Sequence, residues 1–235
     1  MSARETFLQR VRQAVVQGNQ AGAAPRLPER GGVGYQGGGP DPVARFCTEL
    51  AAAGGKSYVV ADRTAAWRTV QSIIQSHNAR KILLSRGGVV ERLELATRLK
   101  ETGLEVLSAD SAPAQHLRDP LFAGDIGITN VYRLIAETGT VVLASRPNEP
   151  RSNSLLPPVH IAVAERSQLL PDLFDLFDLF SPTASPVKTF PPSCLTLITG
   201  PSKTGDIELK LVTGVHGPGE VHVLLCVGLA GPFES

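Results

Sequence analysis

The sequence predicts an α/β fold: a mainly parallel sheet with an antiparallel element, helices on both faces, and an N-terminal helix on a Gly/Pro-rich linker. Three observations carry that prediction. Between Pro42 and Leu107, short apolar runs alternate with helix-length amphipathic segments, the pattern of repeated βαβ units. After Pro120 the rhythm changes to strands joined by tight turns. Residues 18–42 are too rich in glycine and proline to form a packed element.

Taken in order, residues 4–17 place Phe7, Val11, Ala14 and Val15 on one helical face, with Leu8 adjoining. The linker then separates residues 1–42, a tethered helix, from an α/β domain over 43–235. In that domain the segment PVARFCTELAAAGG reads as a helix ending on Gly54 and Gly55. Strand SYVVA, a helix over 63–77, strand KILLS, a helix over 89–102 and the short strand EVLSA follow. The strands are near-continuous apolar runs, as a sheet buried on both faces requires. DIGIT is the next strand, and LIAETGTVVLAS folds as two strands around Glu137-Thr138-Gly139-Thr140. VHIAVA and LTLIT are further strands. In residues 169–180 the triplet DLF occurs three times. Aspartate at every third position drifts around a helix and leaves Leu and Phe over most of it, so a buried helix on the sheet is expected. From Thr199 to Cys226 the chain reads as a strand end, a polar Gly-rich loop, an amphipathic helix, a second Gly-rich loop and a last strand.

Composition excludes several classes. With 23 basic and 22 acidic residues, the net charge of +1 recruits neither nucleic acid nor an anionic membrane. Aromatic residues make up only 5%, too few for base-stacking platforms. The charged, periodic N-terminus lacks a signal-like apolar region, and no apolar run reaches the ~18 residues of a membrane span. A cytoplasmic chain without membrane insertion is therefore expected. The three cysteines, Cys47, Cys194 and Cys226, are far apart and form no CxxC pair, so they supply neither a structural zinc site nor an iron–sulfur cluster. Cys226, inside VHVLLCVGLA, reads as a small core hydrophobe.

Several motifs resemble sites and differ from them in context. Gly32 to Gly37 has the spacing GxGxxG, but follows no strand and opens no helix, so it reads as linker. Gly200 to Gly205 mimics half of a phosphate loop, with Asp206 where the lysine must be. Asp206 and Glu208, in the first turn of the expected helix, would repel a phosphate there. No motif implies a cofactor.

The chemistry-bearing candidates cluster around the loops. Glu137, after Leu-Ile-Ala and before Thr138-Gly139-Thr140, is either an acting carboxylate at a strand tip or a turn-fixing hydrogen-bond acceptor. His216, between Val215 and Gly217, reads as an exposed imidazole fit for proton transfer or ligand binding. Glu220 and His222 lie nearby. A metal triad of His216, Glu220 and His222 can be drawn, but alternation with Val221 and Val223 points His222 along the strand, and no metal is expected. His160 starts a strand and could reach the same sheet edge, whereas His77 and His116 read as solvated surface residues. Around these, Gly200, Ser202, Lys203 and Thr204 form a polar loop in which Lys203 offers a point charge to a carboxylate or phosphate. Arg146 offers a carboxylate clamp if it points inward.

Four blocks, AETGTVVL (136–143), LPPVHIAV (156–163), ITGPSKTGDIE (198–208) and GVHGPGEVHVLL (214–225), resemble the lactate-utilisation protein C family of LUD-domain proteins. The resemblance covers about half the chain, from Asp125 onward. It implies a fold like that of the NagB/RpiA/CoA-transferase superfamily, and a role in oxidising L-lactate to pyruvate beside iron–sulfur partner subunits. This chain would be the cluster-free member, since it has no cysteine motif. Glu137 falls near the catalytic carboxylate of CoA transferases, an analogy of fold. Two other readings stand beside it: a free-standing enzyme acting through Glu137 on a CoA ester or phosphorylated small molecule, and a ligand-sensing or interaction module. The ligand expected of the chain is a small carboxylate or a CoA- or phosphate-bearing compound. Self-association into a homo-oligomer is left open.

Overall fold

The computed structural model describes residues 2–18, 37–108, 119–180, 192–205 and 211–229. It divides into two units, Met1–Tyr35 and Gln36–Ser235, each considered by itself. In the first, α1 (Ala3–Gly18) begins with a reciprocal cap: Glu5 N–H donates to Ser2 Oγ at 3.3 Å, and Ser2 N–H donates to Glu5 Oε2 at 2.7 Å. The GxGxxG spacing, His116, Asp206 and Glu208 fall wholly or mostly outside the described residues.

In the second unit, α2 (Pro42–Ala52) starts at Asp41, whose carboxylate accepts from Val43 and Ala44 N–H, with Pro42 at the first helical position. Then come β1 (Lys56–Val60), α3 (Arg63–Ser76), β2 (Lys81–Leu84), α4 (Gly88–Arg92), α5 (Leu95–Glu101), β3 (Glu105–Leu107) and β4 (Ile126–Asn130). A hairpin of β5 (Arg133–Ile135) and β6 (Thr140–Ala144) follows, then α6 (Ser152–Leu155), β7 (Val159–Glu165) and β8 (Leu169–Leu170). The unit closes with α7 (Leu173–Asp178), β9 (Leu195–Ile198), β10 (Lys203–Gly205), β11 (Leu211–Thr213) and β12 (Glu220–Cys226).

The main sheet is wholly parallel, in the order β1-β12-β7-β4-β2-β3. The expected antiparallel element forms a second sheet, β8-β5-β6-β9. Alternation along β7 and β12 divides the core. Val159, Ile161, Val163, Leu224 and Cys226 pack under α3, α4 and α5. Ala162, Ala164, Val221, Val223 and Leu225 meet α2 and the inner face of the second sheet. The outer face of that sheet, through Ile135 and Val142, is covered by Leu176 of α7. The α/β class is thus as expected.

Three expectations are corrected. The helix over 89–102 is broken by Glu94, which takes a left-handed φ of 56°. Leu93 and Leu95 are both buried, and a continuous helix would put residues two apart about 200° around the axis. Over 169–180, Leu169 and Leu170 instead pair with β5, and Pro171 and the N-cap Asp172 delay the helix to a six-residue α7. The amphipathic helix expected between the two Gly-rich loops is absent at its described end: Leu211–Thr213 pairs antiparallel with Lys203–Gly205. Val212 and Thr213 are β-branched and favour that extended state.

Candidate functional site

β12 is inserted between β1 and β7, and Glu220 at its amino end gathers a compact charged cluster. Residues two apart on a strand share a face, so Glu220 and His222 both look toward α3. Lys56, first in β1, reaches Glu220 Oε2 with Nζ at 2.6 Å. His77 caps the end of α3 and holds Nε2 at 3.2 Å from Glu220 Oε1. The Nε2 of His222 lies 3.3 Å from Glu220 Oε2. On the other side of each ring a second partner waits: Ile73 O lies 2.9 Å from His77 Nδ1, and the Tyr58 hydroxyl lies 3.1 Å from His222 Nδ1. Tyr58 also stacks on His222, with ring centroids 5.9 Å apart and planes 6° from parallel.

The charges in this cluster reinforce one another. The hydrogen bond from Lys56, and after it that from His77, holds the Glu220 carboxyl down to about 2. His77 is raised, first by its bond to the Ile73 carbonyl and then by Glu220. His222 goes the other way, to about 4, because it is buried and because Lys56 is cationic. The reading of His77 as a solvated surface residue is therefore corrected: its side chain is only 24% exposed and is engaged on both nitrogens.

The two Gly-rich loops join this edge. Ser202 N–H donates to Pro218 O at 2.9 Å and Gly214 N–H to Ser202 O at 3.0 Å. Pro158 O accepts from Gly219 N–H at 2.9 Å and from Glu220 N–H at 3.3 Å. Gly200 has φ 81°, and a Cβ there would lie 2.6 Å from Ala53 O. Lys203 Nζ donates to that same carbonyl at 2.6 Å, so its charge caps the end of α2. Thr204 pairs with Val212, and Gly217 packs over Ser202. His216 stands exposed on the second loop, outside the group formed by His77, Glu220 and His222.

The turn at 137–140 is built into the same side of the molecule. Gly139 has φ 63°, and a Cβ would lie 2.2 Å from Leu50 N. Thr138, Thr140 and Thr199 form a hydroxyl chain with Oγ1 separations of 2.7 and 2.7 Å. Glu137 is half-buried beyond the turn, and its N–H donates to Pro171 O at 3.1 Å. The hydroxyl chain, Gly200 and Ser202 tie the turn to the loops. His160 does not join the edge; its ring is buried on the opposite sheet face, 2.8 Å from Thr129 Oγ1, and burial pushes it down to about 4.

Arg146 lies elsewhere. It lines a cavity of about 190 Å³ with Arg86, Gly87, Asn130, Tyr132 and Glu149, at the carboxyl ends of β2 and β4. A five-residue strand spans about 17 Å, which separates this crevice from the Glu220 edge. Connections leave β2 toward β3 and leave β4 toward β7, in opposite directions, and open α/β sheets hold ligands at such divergences. Asn130 shapes the crevice by accepting from Val90 N–H at 2.9 Å and donating to Arg86 O at 3.2 Å. Burial raises Glu149, and Arg133 and Arg146 sit 4.5 and 5.8 Å from the Tyr132 ring centre. The Arg86 and Arg146 guanidiniums that line the crevice suit a small anion. The Gly-rich loops of the C-terminal run therefore meet the amino end of β12, and the carboxyl-end crevice is lined by Arg86-Gly87-Gly88 and Asn130. The glycine pair Gly87-Gly88, two residues past the buried strand KILL, is the sequence signal for it.

The sequence profile of the LUD domain matches residues 43–226, and the chain belongs to that family. A lactate utilization protein C of Halalkalibacterium halodurans is 32% identical over 143 residues, 60% of each chain. One from Bacillus subtilis is 42% identical over 85 residues, 36% of this chain and 35% of the other. The chain thus spans 60% or less of these relatives' length. The crystal structure of a DUF162 family protein from Deinococcus radiodurans superposes with a TM-score of 0.55 at 22% identity, over 80% of this chain and 96% of that one. That structure shares the fold. Among the described residues no helix is long and apolar enough to cross a membrane.

Proposed function

We propose that this chain serves lactate utilisation as the cluster-free subunit of a system that oxidises L-lactate to pyruvate with iron–sulfur partner proteins. One observation supports this above others: the four blocks shared with that family in sequence lie in a hydrogen-bonded network along one side of the domain. The cysteines agree with a cluster-free role, since Cys226 is buried in the core and Cys47 and Cys194 are distant in sequence. Arg146 and the crevice around it are assigned to the substrate carboxylate. Deleting the gene should abolish growth on lactate, with rescue by the wild-type chain and weak rescue by Arg146→Ala. Growth on lactate unaffected by the deletion, or failure of the iron–sulfur subunits to co-purify, removes the proposal.

The half-buried position of Glu137 supports a second reading, a free-standing enzyme acting on a CoA ester or phosphorylated molecule. A melting screen with CoA esters, sugar phosphates, lactate and pyruvate decides it. A specific ligand at a hundredfold excess over Kd stabilises by about 2.7 kcal/mol, and Glu137→Gln should cancel the shift. No shift with any compound excludes this reading.

A further inference from the structure

We propose that His77, Glu220 and His222 form a binding site for one divalent transition-metal ion, with zinc matched best by the donor set. Their ligand atoms lie within 4.8 Å of one another. Zinc bonds of about 2.0–2.2 Å in a tetrahedron require ligand atoms about 3.3 Å apart. Glu220 approaches each histidine at about that separation, through one oxygen apiece. Oε1 lies 3.2 Å from His77 Nε2 and Oε2 lies 3.3 Å from His222 Nε2, so a small rotation of the carboxylate brings one oxygen toward both rings. Two histidines and one glutamate leave one tetrahedral position open, the arrangement of exchangeable rather than purely structural zinc sites.

The outer hydrogen bonds make the stronger argument. The Ile73 carbonyl, 2.9 Å from His77 Nδ1, only accepts, and the Ser76 hydroxyl 3.1 Å from the same nitrogen spends its own proton on that carbonyl. Neutral His77 therefore carries its proton on Nδ1 and its lone pair on Nε2, facing Glu220. A lone pair facing a carboxylate at 3.2 Å requires a cation between them, either a proton or a metal. His222 has the same layout, with Nδ1 against the Tyr58 hydroxyl. That hydroxyl donates or accepts, so it serves His222 with or without a proton on Nε2. Metal-binding histidines are characteristically oriented in this way, by a partner on the other ring nitrogen.

Lys56 is the competitor for the carboxylate. Its ammonium occupies Glu220 Oε2 at 2.6 Å, but the side chain is 55% exposed and is free to swing away. The site borders a cleft of about 360 Å³ that Lys56 and Arg68 also line. A bound metal would thus present its open position to a cleft with two cationic flanks, suited to water or a small anionic ligand. This site is independent of the lactate assignment and lies at the opposite sheet edge from Arg146.

The test is a titration of the chelator-treated full chain with Zn²⁺ by calorimetry and with Co²⁺ by visible absorption. One ion per chain is expected, with the intense d–d bands of four-coordinate cobalt. His77→Ala should weaken binding at least tenfold, and Glu220→Gln similarly. His216→Ala, one loop away, should leave it unchanged. Lys56→Met should tighten binding by removing the competing ammonium. His222 is buried, so the wild-type cobalt spectrum and the His77 and Lys56 variants carry the test without it. Pale six-coordinate cobalt, equal loss in His77→Ala and His216→Ala, or weaker binding in Lys56→Met would each overturn the site in favour of a plain ion-pair network.

Discussion

The hydroxyls of Thr140 and Thr199 lie 2.7 Å apart and join the ETGT turn to the loop that opens ITGPS. Thr140 is 4% exposed and also meets Thr138, so its hydroxyl is shared between two others. Thr140→Val keeps the shape and strands both neighbours. A loss of about 1–3 kcal/mol is expected, measurable by urea unfolding. In a double-mutant cycle with Thr199→Val the two losses should be less than additive. Full additivity would show that the pair is not coupled.

Gly139 is expected to tolerate no side chain. Its φ of 63° and the 2.2 Å approach of a Cβ to Leu50 N mean that Gly139→Ala must move α2 or reverse the turn. The cost should be on the order of 3 kcal/mol or more. A melting temperature within a degree or two of wild type would contradict the packing described.

Acid should destabilise the domain in two stages. His160 and His222 are held down to about 4 by burial, whereas an unfolded histidine titrates near 6.5. Both therefore bind protons more readily when unfolded, and stability present above about pH 6.5 is lost as pH falls through 4. For fully buried His160 this amounts to about 3 kcal/mol at most. Glu220, lowered from 4.5 to about 2, withdraws its contribution only below pH 4.5. His77, raised, acts oppositely and loses its contribution as pH rises past its folded value. Urea midpoints should fall between pH 6.5 and 4, and His160→Gln should flatten part of that slope. A profile flat over this interval would refute it.

Thiol chemistry should separate the cysteines. Burial, and next the charge of Glu165, push the Cys226 thiol up to about 12. Cys47 and Cys194 are half-buried. An aromatic disulfide reagent at pH 8 should label at most those two in the native chain, and Cys226 only after denaturation. Labelling of Cys226 at the rate of a free thiol would mean that β12 opens readily.

Much of the fold was readable because its strands are short apolar runs whose character needs no partner to recognise. KILL, IGITN and VHIAVAE all became strands of the parallel sheet, and the ETGT turn appeared where a glycine with positive φ was needed. The break at Glu94 was not readable, since it satisfies two leucines whose burial depends on the sheet beneath. Nor was the hairpin of Lys203 and Thr213, whose apolar spacing also suits a helix. Of the Glu220 cluster, the pair Glu220 and His222 lay within one block. His77 sits 143 residues earlier at a helix end, and no local pattern marks it as a partner. Tyr58 and Lys56 entered for the same reason, by the pairing of β1 with β12.

That pairing also governs when the domain can be finished. Lys56 and Glu220 are 164 residues apart, yet among the described residues β12 is the one strand that pairs with β1 in the sheet. At about 5–20 residues per second, a ribosome takes roughly 10–30 s to make the intervening chain. Throughout that interval β1 has no strand to pair with and β7 offers a bare edge, the condition under which chains aggregate or recruit chaperones. The gap between β1 and β7 is filled by β12, the last of the described strands to be made, so nascent-chain solubility depends on residues 220–226 far more than their number suggests.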